Sequence, residues 1–121
     1  MLPPDFWTQV DELVRTRRVV VDRPRNTAHP KYPQHIYPLD YGYLEGTSSG
    51  DGDGIDVWVG AGSDRSVVGL ICTIDLLKRD MEVKLLIGCL QDEIGGVQDF
   101  FTSLAMGHQL VLRDGLGSWH R

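Results

Sequence analysis

The sequence Tyr37-Pro38-Leu39-Asp40-Tyr41-Gly42-Tyr43 lies just ahead of a second run, Asp51-Gly52-Asp53-Gly54-Ile55-Asp56-Val57, and the two runs dominate the middle of the chain. Aspartates in the second run are interleaved with glycines, whose conformational freedom would let all three carboxylates point at one place. Mg²⁺ prefers carboxylate oxygens and water as ligands. The pattern therefore predicts a hard-cation site at Asp51, Asp53 and Asp56.

Two other interpretations of the acidic run can be compared with this one. A polar turn between two strands also fits, because Gly and Asp are common turn residues, and this alternative stays open. A calcium loop of the EF-hand type does not fit its spacing. That loop needs an oxygen ligand at its fifth position and Gly at its sixth, where this chain has Ile55 and Asp56.

Taken together, the two runs resemble the signature of the soluble family I inorganic pyrophosphatases, Tyr-Pro-x-x-Tyr-Gly-Tyr followed by Asp-Gly-Asp-x-x-Asp-Val. The resemblance implies Mg²⁺-dependent hydrolysis of inorganic pyrophosphate to two phosphates, with Mn²⁺ as an alternative metal. It implies metal binding by five acidic residues, with Asp53 also acting as the catalytic base: Asp51, Asp53, Asp56, Asp75 and Glu82. It further implies substrate binding by Lys31, Tyr37, Tyr41 and Lys84.

The chain departs from this family pattern in three places. Pro33 stands where the family has a glutamate, residues 34–36 leave no room for a hairpin that carries an arginine, and Leu104-Ala105 replaces a Tyr-Lys pair. Most of the missing groups would bind phosphate. The alternatives to pyrophosphate hydrolysis are therefore a hydrolase of another phosphoanhydride or a non-catalytic protein that binds metal or phosphate.

Hydrophobic periodicity predicts a mostly β chain with two helices. The helices are predicted over residues 4–15 and 92–106, and the strands over 19–21, 57–59, 67–74, 82–88 and 109–113. The resemblance makes this α+β pattern more specific. It implies a small closed OB-like β-barrel of five strands with two flanking helices.

Composition sets the remaining expectations. A chain of 121 residues predicts a single domain over 1–121. The net charge of -5 argues against nucleic-acid binding, which normally needs a basic surface, and no apolar run is long enough to span a membrane. Cys72 and Cys89 lie in apolar stretches and are expected to be reduced, which together with the lack of a signal peptide predicts a cytoplasmic protein. The family resemblance implies a homo-oligomer.

Overall fold

The computed structural model describes residues 4–113, with side chains from residue 6 onward. Two helices and six strands form within this range, which confirms the mostly β class with two helices. In chain order they are α1 (Pro4–Thr16), β1 (Val19–Arg23), β2 (Asp40–Leu44), β3 (Asp56–Val59), β4 (Val67–Asp75), β5 (Asp80–Ile87), α2 (Gln91–Ser103) and β6 (Gly107–Leu112).

The strands form one sheet in the order β1-β2-β3-β5-β4-β6. β3 and β5 are parallel, whereas the other neighbouring pairs are antiparallel. The expected closed barrel of five strands differs from this sheet in two ways. The sheet has a sixth strand, and β1 and β6 end the order without pairing to each other within the described residues, so the hydrogen-bonded ladder does not close.

The additional strand is β2, which carries Tyr41-Gly42-Tyr43. A glycine inside a strand weakens the sequence signal for that strand, because glycine has low β propensity. The structure shows why glycine is present: a Cβ at position 42 would lie 1.8 Å from the backbone oxygen of Val20 in β1. The close approach of β1 to β2 therefore depends on Gly42.

The hydrophobic core has two parts, one on each face of the sheet. Side chains alternate between faces along a strand. In β5, Leu86 accordingly packs with the cluster under α2, whereas Leu85 and Ile87 pack with the cluster under α1. The α2 side contains Tyr37, Trp58, Val97, Phe100 and Phe101, and the α1 side contains Trp7, Val14, Leu44, Val57 and Val67.

The turn after α2 shapes one wall of the site described below. The helix was predicted to extend to residue 106, but it ends at Ser103 because Ala105 adopts a left-handed conformation with φ 59°. Met106 N then donates to Phe101 O at 2.9 Å, which is the hydrogen bond of a Schellman cap.

No helix within residues 4–113 is long and apolar enough to cross a membrane. Both cysteines are free, in agreement with their expected reduced state.

Candidate active site

Lys84 lies at the centre of a polar cluster built by strand register. Asp56 of β3 is directly opposite Lys84 of β5 in the parallel pair, and Glu82 shares the face of Lys84 because it lies two residues earlier in the same strand. Lys84 Nζ donates hydrogen bonds to Tyr41 Oη at 2.9 Å, Asp56 Oδ2 at 2.9 Å and Glu82 Oε1 at 2.7 Å. We call Tyr41, Asp56, Glu82 and Lys84 the lysine cluster.

Burial and neighbouring groups together set the protonation states of Lys84 and Tyr41 in the lysine cluster. Lys84 is only 5% exposed. Burial by itself would lower the pKa of Lys84, but the negative charge of Asp56 and the hydrogen bonds that Lys84 donates to Glu82 and Tyr41 raise it well above its usual value, so the ammonium stays charged. Burial raises the pKa of Tyr41 far above its usual value, so this phenol stays protonated.

The two carboxyl groups of the lysine cluster respond in opposite directions. Burial raises the pKa of Asp56 and outweighs the attraction of Lys84. Burial would also raise the pKa of Glu82, but its hydrogen bond and attraction to Lys84 prevail and lower it. Two carboxylates share one ammonium at 2.7 and 2.9 Å, so the cluster carries an excess of negative charge when both are ionised.

Asp51 and Asp53 lie in the exposed loop that precedes β3. Asp51 Oδ1 accepts hydrogen bonds from Ser49 Oγ at 2.6 Å and from Asp53 N at 2.9 Å, and these bonds lower its pKa. The Asp53 side chain is exposed, and its carboxylate has no hydrogen-bond partner among residues 6–113. The negative charge of Asp51 also acts on Glu82, which places this loop within electrostatic reach of the lysine cluster.

A cavity of about 410 Å³ opens on the α2 face of the sheet beside the lysine cluster. Six of the predicted site residues line it: Lys31, Tyr37, Tyr41, Asp75, Glu82 and Lys84. The other three predicted residues, Asp51, Asp53 and Asp56, do not line it. The structure therefore gathers the predicted substrate-binding residues around one space, while Asp56 is linked to that space through Lys84.

Two loops bring Lys31 and Asp75 to the cavity. His29 Nδ1 accepts hydrogen bonds from the backbone N–H groups of Lys31 and Tyr32 at 3.1 and 3.2 Å, which fixes the loop that carries Lys31. Asp75 Oδ1 accepts from Leu77 N at 3.0 Å and Lys78 N at 3.2 Å at the start of the β4–β5 turn. Asp75 is thus engaged in holding this turn through one of its two carboxylate oxygens.

The donor set suits a hard divalent cation held by few protein ligands. Within the described residues, no three His, Cys, Asp or Glu side chains converge into a ready cage for a metal. Mg²⁺, however, usually takes one or two carboxylates and fills its other positions with water and substrate oxygens. The excess negative charge of Asp56 and Glu82, with Asp51 nearby, fits that mode of binding.

The sequence interpretation did not identify several cavity residues. Lys78 contributes a further cation to the cavity, and Trp58 contributes part of its wall. A period-two signal was available for Trp58, because it lies two residues after Asp56 on the same strand face. No comparable signal was available for Phe100 and Phe101, which reach the cavity from α2 through tertiary packing.

Comparison with known protein families identifies one match. A sequence profile of the family described as inorganic pyrophosphatase matches residues 12–83, more than half of the chain. The matched segment contains every predicted site residue except Lys84, which follows it directly. No curated protein matches the chain.

Solved structures with a similar fold include three bacterial inorganic pyrophosphatases. The protein from Coxiella burnetii has a TM-score of 0.55 at 16% identity, with 78% of this chain and 82% of that chain covered. The Helicobacter pylori protein has a TM-score of 0.56 at 16% identity, with 78% of this chain and 80% of that chain covered. The Thermus thermophilus protein has a TM-score of 0.56 at 17% identity, with 77% of this chain and 78% of that chain covered. The TM-scores show that the folds are alike, and at identities this low the comparison extends to the fold alone.

Proposed function

The chain belongs to the inorganic pyrophosphatase family, and from this membership we propose that it hydrolyses inorganic pyrophosphate to two phosphates. The observation that carries the proposal is the lysine cluster, which joins acidic side chains to the wall of a cavity lined by further cations and tyrosines. A polyanionic substrate needs such cations, and metal-assisted hydrolysis needs carboxylates beside them.

We assign substrate binding to Lys31, Tyr37, Tyr41 and Lys84, which all line the cavity. Lysine ammonium groups neutralise phosphate oxygens. The protonated Tyr41 hydroxyl, which is hydrogen-bonded to Asp56, can donate to a phosphate oxygen in place of that carboxylate. Tyr37 is buried, and its ring packs against Tyr41 with centroids 5.8 Å apart, so it holds Tyr41 in position.

We assign metal binding to Asp51, Asp53, Asp56, Asp75 and Glu82, with Mg²⁺ as the preferred ion and Mn²⁺ as an alternative. A bound Mg²⁺ lowers the pKa of water and offsets the charge of the phosphates. Asp53 is our candidate for the general base, because its exposed carboxylate is not committed to another hydrogen bond among residues 6–113. We further propose a single domain that acts as a homo-oligomer in the cytoplasm.

Phosphate release from pyrophosphate tests the function directly. We expect release with Mg²⁺, weaker or altered release with Mn²⁺ and none in the presence of a chelator. Asp53→Asn should lower kcat by at least about 100-fold while the unfolding curve stays unchanged. Asp99→Asn is the matched control, because Asp99 is an exposed aspartate on α2 that does not line the cavity.

Two results would contradict these assignments. Unchanged turnover in Asp53→Asn would exclude this residue as the base. Metal and phosphate binding by calorimetry without any turnover would favour the alternative of a non-catalytic binding protein.

A further inference from the structure

Within residues 6–113, three lysines line the cavity beside the lysine cluster, and they differ in how their ammonium groups are bonded. Lys84 Nζ already donates three hydrogen bonds inside that cluster, which uses all of its N–H groups. Lys31 lies in the loop between β1 and β2, and Lys78 lies in the turn between β4 and β5. The cavity thus receives two cations from loops in addition to the buried one.

The two loop lysines have hydrogen-bond donors to offer a ligand. Neither ammonium has a hydrogen-bond acceptor or an ion-pair partner among residues 6–113. Lys31 Nζ lies 5.6 Å from the centroid of the Tyr32 ring, a cation–π contact that uses none of its N–H groups for an acceptor. Lys31 and Lys78 are therefore the cavity lysines that can bind an anion without breaking a hydrogen bond inside the protein.

His29 shows that the two loop ammonium groups act on one region of the cavity wall. Burial is the main cause that lowers the pKa of His29, and the positive charges of Lys31 and Lys78 contribute to the same shift. Both charges are thus within electrostatic reach of the His29 ring, which itself lines the cavity. Like charges gathered in this way repel one another, so an anion bound between them is favoured.

The backbone of Lys78 is fixed beside a proposed metal ligand. Asp75 Oδ1 accepts hydrogen bonds from Leu77 N at 3.0 Å and Lys78 N at 3.2 Å. The second carboxylate oxygen of Asp75 accepts no hydrogen bond among residues 6–113, so it remains open to a cation. Asp75 and Lys78 both line the cavity, and a phosphate bound to a metal at Asp75 would therefore lie near the Lys78 turn.

We propose that Lys78 is a further substrate-binding residue, whose ammonium, together with that of Lys31, binds the oxygens of one phosphate of pyrophosphate. This inference rests on the proposed function, because it adds a contact to the same substrate. Pyrophosphate with one bound Mg²⁺ is still an anion, and it gains most from cations that are not already paired. The neighbouring Arg79 lies in the same turn but does not line the cavity.

Three single variants separate this contact from a general effect of charge. Lys78→Gln removes the ammonium and keeps a polar side chain, whereas Lys78→Arg keeps the positive charge. Arg79→Gln is the matched control, because it removes the same charge from the same turn at a residue outside the cavity wall. Both side chains are exposed, so the urea unfolding curve should be the same in all three variants and the wild type.

Binding can be measured apart from turnover with methylenediphosphonate, whose bridging carbon prevents hydrolysis. Calorimetry with Mg²⁺ should give equal affinities for the wild type and Arg79→Gln. The affinity should fall about tenfold in Lys78→Gln, because a hydrogen bond between charged groups is lost, and should stay within about threefold of the wild type in Lys78→Arg.

Steady-state kinetics with pyrophosphate provide a second readout. Lys78→Gln should raise KM about tenfold and change kcat less than about twofold, as expected for a contact made equally in the ground state and the transition state. Arg79→Gln should leave both constants unchanged.

The failures of the two proposals are distinguishable. If the wild type cleaves pyrophosphate but Lys78→Gln has the KM and the analogue affinity of Arg79→Gln, the inference is overturned and the pyrophosphatase function stands. If the wild type binds the analogue but does not cleave pyrophosphate, the proposed function falls, and the analogue affinities of the variants still decide the role of Lys78. If the wild type does not bind the analogue, the inference is overturned as well.

Discussion

Replacing Lys84 with Met should destabilise the protein through the carboxylates that it leaves behind. In the wild type, Lys84 Nζ lies 2.7 Å from Glu82 Oε1 and 2.9 Å from Asp56 Oδ2, and its side chain is 6% exposed. Methionine has a similar length and fits an apolar site, so lost packing contributes little. The main cost comes from two partly buried carboxylates that face each other without a counter-charge.

The expected cost can be bounded from the exposure of these groups. Removing one partner of a fully buried ion pair costs about 3–5 kcal/mol. The side chains of Asp56 and Glu82 remain 27% and 25% exposed, so water screens part of their charge. We therefore expect a loss of about 2–3 kcal/mol in the free energy of unfolding. For a domain of this size the loss corresponds to a fall in Tm of roughly 8–15 °C.

Urea denaturation followed by tryptophan fluorescence measures this loss. The control is the triple variant Lys84→Met, Asp56→Asn, Glu82→Gln, which removes the uncompensated charge together with the ammonium. It should recover at least half of the lost stability. The electrostatic explanation is refuted if Lys84→Met is within about 0.5 kcal/mol of the wild type, or if the triple variant is no more stable than the single one.

Three further predictions concern residues outside the lysine cluster. Gly42→Ala should cost about 3 kcal/mol in urea denaturation, because its Cβ would lie 1.8 Å from Val20 O; a variant as stable as the wild type would contradict this close approach. Burial raises the pKa of Cys89 to about 12, so iodoacetamide should label it at pH 8 only after unfolding, as measured by mass spectrometry. Burial lowers the pKa of His29 below 6.5, so its NMR titration midpoint should lie below that value, and stability should decline as the pH falls below 6.5 because the unfolded state binds the proton more readily.

The helices and strands whose apolar residues follow a regular pattern could be predicted from the sequence. The apolar face of α1 and the apolar run at residues 85–87 of β5 both match the structure, because a helix buried on one face and a strand buried on both faces leave direct traces in the residue order. The strand β2 was missed, since Gly42 is selected by its contact with β1 and not by local propensity. The strand order was also not predictable from local patterns, because pairing is decided by contacts between distant segments.

The candidate site was likewise only partly predictable from the sequence. The acidic residues and the lysines could be identified by motif and resemblance, but the sequence places Asp56 and Lys84 far apart and does not give their register. The parallel pairing of β3 with β5 sets these residues directly opposite each other. The spacing of the acidic run predicted three carboxylates pointing at one place. In the structure Asp56 belongs to the lysine cluster, while Asp51 is bound to Ser49 within the loop.

The saturated hydrogen bonding of Lys84 has a consequence for phosphate binding. An ammonium has three N–H donors, and those of Lys84 go to Tyr41, Asp56 and Glu82. A phosphate oxygen can contact Nζ directly only if it replaces one of these acceptors. When the replaced acceptor is Glu82 or Asp56, that carboxylate loses its counter-charge and becomes available to a cation. Phosphate and a divalent cation should therefore each strengthen the binding of the other by the same factor, because such coupling is reciprocal.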